Sequence, residues 1–277
     1  MISKKEVINF LKEKKFIASK KMGQNFLIDQ NIAFKIRKIV KNIEFDYILE
    51  IGPGLGAITE CIKPLATSNY KAIELDKRLA SYLLEKQILL KSEIIIGDAL
   101  KINWNDLFPK NKKICLIGNL PYSISSPLIF KFIDSNIDTA ILMLQLEMSD
   151  RITAKINTSN YNAFSVFSQY FLKKHSKNFI VEPNSFFPVP NVKSCVSFFE
   201  KKNINEIQNI NKNEFKNFLL KCFNQRRKTI FNNLKNNYPK DKLEKVLKNL
   251  NIDIHARPQQ LKINDFLLLM DSLSLCN

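Results

Sequence analysis

The sequence predicts an α/β fold, a mainly parallel sheet flanked by helices, followed by a small all-helical domain. Three observations predict it. Short apolar runs alternate with helix-like segments between residues 47 and 156. A glycine cluster, GPGLG (52–56), stands where the first run turns into the first helix. Beyond Lys201 the strand rhythm gives way to apolar residues spaced three and four apart. Strands alternating with helices imply βαβ units, and therefore parallel pairing.

The chain opens on MISKKEVINFLKEKK, a short amphipathic, charged stretch. It lacks the apolar core and small-residue cleavage site of a secretory signal, so a cytoplasmic protein is expected. YILEI (47–51) is the first strand, and AITECIKPLA after the glycines is the first helix of the alternation. YKAIEL (70–75) and DKRLASYLLEKQ form the next strand and helix, and EIIIG (93–97) is a third strand. KICLIG (113–118) precedes helical PLIFKFID, and TAILMLQ (139–145) precedes helical EMSDRITAKI. NFIVEP (178–183) and SCVSFFE (194–200) read as further strands, joined by the proline-rich loop NSFFPVPNV. The polar stretch KKNINEIQNINKN then reads as a linker. This places a first domain, with a basic N-terminal arm, at 1–200 and a helical domain at 201–277. The latter carries EFKNFLLKCF, RRKTIFNNLKN, KDKLEKVLKNL and INDFLLLMDSL at helical spacing.

A chain of 277 residues has room for one large core and a smaller one. No window approaches 18 uninterrupted apolar residues, so no membrane span is expected. The five cysteines form no C-x-x-C pair, which predicts neither a disulfide framework nor a zinc site, and no metal is expected. His175 and His255 stand alone and read as surface or capping residues. The net charge is +17, unevenly spread. Residues 1–46 carry eleven basic and five acidic side chains, and residues 201–260 carry fourteen and five, whereas residues 47–200 are nearly balanced. Flanks of this kind suit a polyanion partner, although solvated lysine faces would look the same.

Four positions share one spacing. Glu74 follows Gly52 by 22 residues, Asp98 follows Glu74 by 24, and Asn119 follows Asp98 by 21. Each interval is one βα unit, so all four fall at the carboxyl ends of parallel strands, along the edge where open α/β sheets bind ligands. Gly52 and Gly54 would let the backbone approach a ligand and expose helix N-terminal amides. Glu74 suits a bidentate grip on ribose hydroxyls and is expected to lie exposed before a ligand arrives. Asp98 suits an adenine amine, although a cap residue would read the same. An adenosine ligand of this kind could be NAD or S-adenosylmethionine.

The stretch after the fourth strand is GNLPYSISSP (118–127). Its N-L-P-Y resembles the tetrad of methyltransferases that modify exocyclic amines of nucleobases. Such an amine is a poor nucleophile because its lone pair is delocalised into the ring. The amide oxygen of Asn119 and the carbonyl of Leu120 can accept its two N–H hydrogens and draw the lone pair out of conjugation. Pro121 would fix the backbone, and Tyr122 would offer a flipped base a stacking surface.

KKMGQNFLID, LEIGPGLGAITE, IELD, GDAL, GNLPYSISSPLIF, NSFFPVPNVKS and FNQRRKTIFNNL, in this order, resemble the small-subunit (16S) ribosomal RNA adenine N6-dimethyltransferase family over roughly residues 20 to 270. The resemblance implies a Rossmann-like class I methyltransferase domain with a small helical C-terminal domain. It implies an S-adenosylmethionine-dependent enzyme that dimethylates N6 of two adjacent adenines in a hairpin loop near the 3′ end of small-subunit rRNA. The implied setting is the cytoplasm, on the small ribosomal subunit or its precursor, as a monomer. By position, Asn25, Leu27, Gly52, Gly54, Glu74, Asp98 and Asn119 match the cofactor contacts. Asn119, Leu120, Pro121 and Tyr122 match the catalytic tetrad. Phe186 matches an aromatic that closes over the target, although neighbouring Phe187 could be confused with it and core packing would explain either. Arg226, Arg227 and Lys228 in FNQRRKT are expected on RNA phosphates, with a solvated helix face as the alternative. A large-subunit rRNA adenine methyltransferase of the antibiotic-resistance type shares the cofactor motifs and is the runner-up. Two departures, Ala163 in YNAFSV and Lys193 in PNVKS, touch expected RNA contacts rather than the methyl-transfer residues.

Overall fold

The computed structural model describes residues 4–13, 25–66, 69–208 and 210–274, leaving aside the side chains of Tyr122 and Ile204. Most of the expected basic N-terminal arm, from 14 to 24, and Cys276 lie outside these residues. The chain forms two compact units, Met1–Ser149 with Lys174–Lys201, and Asp150–Lys173 with Lys202–Asn277. A single cut after residue 200 is therefore corrected: residues 150–173 leave the first unit for the helical one.

In the first unit, α1 (Lys4–Glu13), β1 (Phe26–Leu27) and α2 (Gln30–Val40) precede the alternation. The alternation itself runs β2 (Tyr47–Ile51), α3 (Thr59–Ala66), β3 (Tyr70–Glu74), α4 (Lys77–Glu85), β4 (Ile94–Ile96), β5 (Ile114–Asn119), α5 (Ser125–Asp134), β6 (Thr139–Gln145) and α6 (Leu146–Ile152). After α7 (Ala163–Phe171) come β7 (Leu172–Val181), β8 (Phe186–Phe187) and β9 (Ser194–Lys201). The seven-stranded sheet has the order β4-β3-β2-β5-β6-β9-β7. Strands β2 to β6 pair in parallel, and β9 runs antiparallel to β6. This is the expected mainly parallel, Rossmann-like sheet. Its order reverses between β2 and β5, which opens a crevice at their carboxyl ends.

The central strands are apolar on both faces because helices cover both. Ile48, Ile62, Tyr70, Cys115, Ile117 and Val196 share one core with Ile32 and Ile36 of α2. A second core joins Val7 and Phe10 of α1 to Phe26, Leu55, Leu79 and Tyr82, with the Phe10 and Tyr82 rings edge to face at 5.0 Å. The pairing of β1 with β8, Phe26 opposite Phe187 and Leu27 opposite Phe186, was not visible in the sequence, because two residues show no periodicity.

In the second unit, Asn162 caps α7 through a capping box with Ser165. The aromatic face of α7 packs on α8 (Lys212–Cys222), where Phe215 lies 5.4 Å from Tyr170 and 6.2 Å from Phe167. Residues 150–173 thereby belong to the helical unit. The unit is completed by α9 (Ile230–Leu234), α10 (Lys240–Asn249) and α11 (Ile263–Ser274).

Gly118 is the tightest point of the sheet. It pairs with Ile51, and a Cβ there would sit 2.7 Å from the Ile51 carbonyl oxygen. Backbone on both sides leaves little room to relax. Gly118→Ala should destabilise the chain by about 1–3 kcal/mol, read as a lower denaturant midpoint with an unchanged slope.

Candidate active site

The strand ends converge as the spacing predicted. Gly52 follows β2, Glu74 ends β3, Asp98 follows β4 by two residues and Asn119 ends β5. These four residues line one cavity of about 130 Å³ with Asn25, Leu27, Gly54 and Pro121. All seven expected cofactor positions therefore meet in a single cavity.

Gly52 and Gly54 adopt φ values of 65° and 61°, a left-handed backbone that favours glycine. The Gly52 Cα faces open space, with nothing within 4 Å of where a Cβ would stand. The Gly54 amide donates to Glu74 Oε2 at 3.1 Å, and the Asp76 amide donates to Glu74 Oε1 at 2.9 Å. Glu74 is 5% exposed, which corrects the expectation of an open carboxylate. Burial pushes its carboxyl up to about 7, against the pull of those amides. Removing it would leave two amides without their acceptor, so Glu74→Ala should cost stability as well as affinity.

Sequence reasoning passed over Glu50. It is the one charged residue of YILEI, and that contrast was the available signal. It is 1% exposed, lines the same cavity, and accepts hydrogen bonds from Thr59 Oγ1 and Tyr70 Oη, both at 2.6 Å. Burial raises its carboxyl to about 7, opposed by the two hydroxyls and reinforced by Glu74. Two buried carboxylates, a glycine turn and an open Gly52 face fit a ligand carrying a ribose and a positive charge, as S-adenosylmethionine does.

Asp98 Oδ1 accepts the Leu100 amide at 2.9 Å, a local cap that leaves Oδ2 as the second acceptor. Asn119 Nδ2 donates to the Asn25 carbonyl at 3.1 Å. This fixes which way the amide faces and leaves Oδ1 as an acceptor without a partner among the described residues. The Leu120 amide donates to Met143 while its side chain is buried, so the backbone carbonyl is what Leu120 can offer. The Pro121 carbonyl is taken by the Ile124 amide and Ser125 Oγ, so it is turned into the helix start rather than to a substrate. Tyr122 opens a short 3₁₀ turn, 122–124, and its side chain lies outside the described residues.

The stacking role expected of Phe186 is corrected. Its ring is 1% exposed and belongs to the main core beside Leu27. Strand alternation turns its neighbour the other way. Phe187 is partly exposed against the second core, with Lys4 Nζ 5.9 Å from its ring centre.

Arg226, Arg227 and Lys228 are exposed, but on the connection between α8 and α9 rather than on a helix. Asn233, 7% exposed, shapes that connection. Its Oδ1 accepts the Gln225 amide at 2.8 Å, and its Nδ2 donates to the carbonyls of Gln225 and Thr229, both at 3.1 Å. The two departures have local explanations. Ala163 is the first residue of α7 after its cap, and Lys193 pairs with Glu182 at 2.8 Å on the surface. Neither histidine lines the cavity. Among the described residues no group of three His, Cys, Asp or Glu side chains is placed to hold a metal ion.

The profile of the family described as Ribosomal RNA adenine dimethylase matches residues 15–275. The chain belongs to the ribosomal RNA adenine dimethylase family. The small-subunit dimethyltransferase resemblance read from the motifs is thus confirmed, and with it the class of enzyme. The chain is 47% identical to ribosomal RNA small subunit methyltransferase A of Malacoplasma penetrans over 95% of both chains. It is 44% identical to the protein of the same name from Mycoplasmoides gallisepticum over 99% of both. The solved dimethyladenosine transferase of Plasmodium falciparum is 32% identical, with a TM-score of 0.73, covering 88% of this chain and 95% of that one. The 23S rRNA methyltransferase ErmE, 22% identical with a TM-score of 0.62 over 90% of this chain and all of that one, shares the fold. No helix among the described residues is long and apolar enough to cross a membrane.

Glu50 and Glu74 predict a pH dependence for this dimethylase-family chain. Their folded values near 7 lie above the ordinary 4.5, so between these limits the folded chain binds more protons than the unfolded one. Stability from these groups is then full below about pH 4.5 and falls as pH rises to about 7. Denaturant midpoints taken across about pH 5 to 8 should show this decline, on the order of 5 kcal/mol for the two groups together. Glu50→Gln, which keeps an acceptor for Thr59 and Tyr70, should flatten it.

Proposed function

We propose that the chain transfers methyl groups from S-adenosylmethionine to N6 of two adjacent adenines, two on each, in a hairpin loop near the 3′ end of small-subunit rRNA. One observation carries the reading. Asn119, with its amide pinned to the Asn25 carbonyl, stands in the same cavity as Gly52, Glu74 and Asp98. A target amine and a methyl donor held there are neighbours.

S-adenosylmethionine, when bound, supplies an electrophilic methyl group on a sulfonium. The chain does the rest by binding and orientation. Glu74, ionised, accepts ribose hydroxyls, and Asp98 Oδ2 accepts the adenine amine of the donor. Asn119 Oδ1 and the Leu120 carbonyl accept the two N–H groups of the target amine. They turn its lone pair out of the ring, and Pro121, at φ −56°, holds the turn that presents them. The gain is one of position and desolvation. No side chain has to remove a proton before transfer, since the methylated nitrogen is acidic enough to lose it afterwards. Arg226, Arg227 and Lys228 hold RNA phosphates on the connection shaped by Asn233. We read the setting as the cytoplasm, with the chain acting as a monomer on the small subunit or its precursor.

The test is methyl transfer from labelled cofactor to isolated small and large subunits that lack the modification, with the labelled nucleotides mapped. Label on two adjacent adenines of the small subunit is expected. Label on the large subunit would overturn the reading.

Two variants probe the parts. Asn119→Ala should lower the single-turnover rate by about a hundredfold or more while RNA affinity changes little, since the lost contact acts in the transition state. Near-native single turnover would remove Asn119 from the chemistry. Replacing Arg226, Arg227 and Lys228 with Gln should weaken RNA binding and reduce the salt slope by about one unit per lost phosphate contact, with cofactor affinity unchanged. An unchanged slope would leave these residues facing solvent.

A further inference from the structure

The loop that carries Asp98 is held by a residue from a different element. Lys131, on α5, donates from Nζ to the Leu100 carbonyl at 2.7 Å and to the Ile102 carbonyl at 2.5 Å. Its ammonium also lies 5.2 Å from the ring centre of Trp104, which is 1% exposed. Trp104 Nε1 donates to the Ala99 carbonyl at 3.0 Å. Three carbonyl groups around one short turn, those of Ala99, Leu100 and Ile102, are thus taken by two side chains. The turn itself is closed on Asp98, whose carbonyl accepts the amides of Lys101 and Ile102 and whose Oδ1 accepts the amide of Leu100. Left to itself, a turn of this length would satisfy its carbonyls with water and sample several shapes. Here a charged donor and an indole fix one of them.

The clamp has a second end. α5 starts at Ser125, whose hydroxyl donates to the Pro121 carbonyl of the tetrad. Lys131 sits two turns further along the same helix, so the Asp98 turn is tied to the element that begins at the tetrad. Nothing in the sequence reading marked Lys131, which stands in PLIFKFID as the one charge in an apolar helical run before its terminal Asp.

We propose that Lys131 is a positioning residue for cofactor recognition: it holds the Asp98 turn in the shape that presents Oδ2 to the exocyclic amine of the cofactor's adenine. This rests on the reading of Asp98 as the adenine contact. Lys131 does not line the cavity, and its effect passes through the Leu100 and Ile102 carbonyls. A lysine that merely filled a gap would contribute to stability alone. A lysine that sets the turn contributes to the choice between adenine and a purine without the amine.

The experiment is calorimetric binding of S-adenosylhomocysteine and of its inosine counterpart, in which oxygen replaces the amine. The proteins are the full chain, Lys131→Met, Lys131→Arg, Asp98→Asn, and Asp98→Asn combined with Lys131→Met. The full chain should prefer the adenine ligand by about tenfold or more. Lys131→Met, which keeps the aliphatic stem and loses the donors, should lose most of that preference, through weaker binding of the adenine ligand and little change for the inosine one. Lys131→Arg, which keeps charged donors, should restore part of it. On the Asp98→Asn background Lys131→Met should change the preference no further. If Asp98→Asn leaves the preference intact, the assignment of Asp98 falls and the proposal with it. If Asp98→Asn abolishes the preference while Lys131→Met and Lys131→Arg both retain it, with only a lower melting temperature, Asp98 stands and Lys131 is structural. Should Lys131→Met fail to fold, Lys131→Gln gives the same comparison with one neutral donor group left in place.

Discussion

The approach of β2 to β5 is the constraint on which the rest of the first unit depends. Parallel strands in a common register must end along a common edge, and here Ile51 opposite Gly118 sets where that edge lies. One residue past that pair the chain gives Gly52 on one strand and Asn119 on the other. The glycine turn, the two buried glutamates and the tetrad are therefore brought together by backbone pairing, not by contacts among their side chains. A side chain at 118 would push the two strands apart and with them the two halves of the site.

The site holds an electrostatic tension that this arrangement creates. Glu50 and Glu74 sit at or near full burial without a basic partner in the contacts that hold them, which are hydroxyls and backbone amides. Desolvation raises both carboxyls to about 7. Such groups are costly to ionise in an isolated fold and gain from a ligand that donates hydrogen bonds or carries positive charge. Stability is given up at the place where binding recovers it, a common property of functional sites.

The sheet was legible in the sequence because its strands are apolar, short and evenly spaced, and the cofactor positions were legible for the same reason. Glu74, Asp98 and Asn119 each end one unit of a regular repeat. What was missed depends on contacts between distant segments. Phe186 and Phe187 look alike in SFFPVP, and only their pairing with Leu27 and Phe26 decides which ring enters the core. The Glu74 carboxylate looks exposed at a strand end until the Gly54 and Asp76 amides close on it. Residues 150–173 read as part of the sheet domain because they stand between the alternation and two further strand-like runs. Its aromatic face, matched to Phe215, belongs elsewhere. The RRK run has helical spacing, yet Asn233 holds its backbone in a turned connection.

An adenosine site at these strand ends, gripped by an ionised Glu74, is the centre of the proposed chemistry. Methylthioadenosine has the ribose and adenine of the cofactor and no group that titrates near neutrality. Its binding can be followed calorimetrically near pH 7 in buffers of different ionisation enthalpy. If its ribose hydroxyls donate to Glu74, binding should favour the ionised carboxyl and release a fraction of a proton, and Glu74→Gln should abolish that release. Binding without proton release in the unaltered chain, or release that survives in Glu74→Gln, would contradict the account.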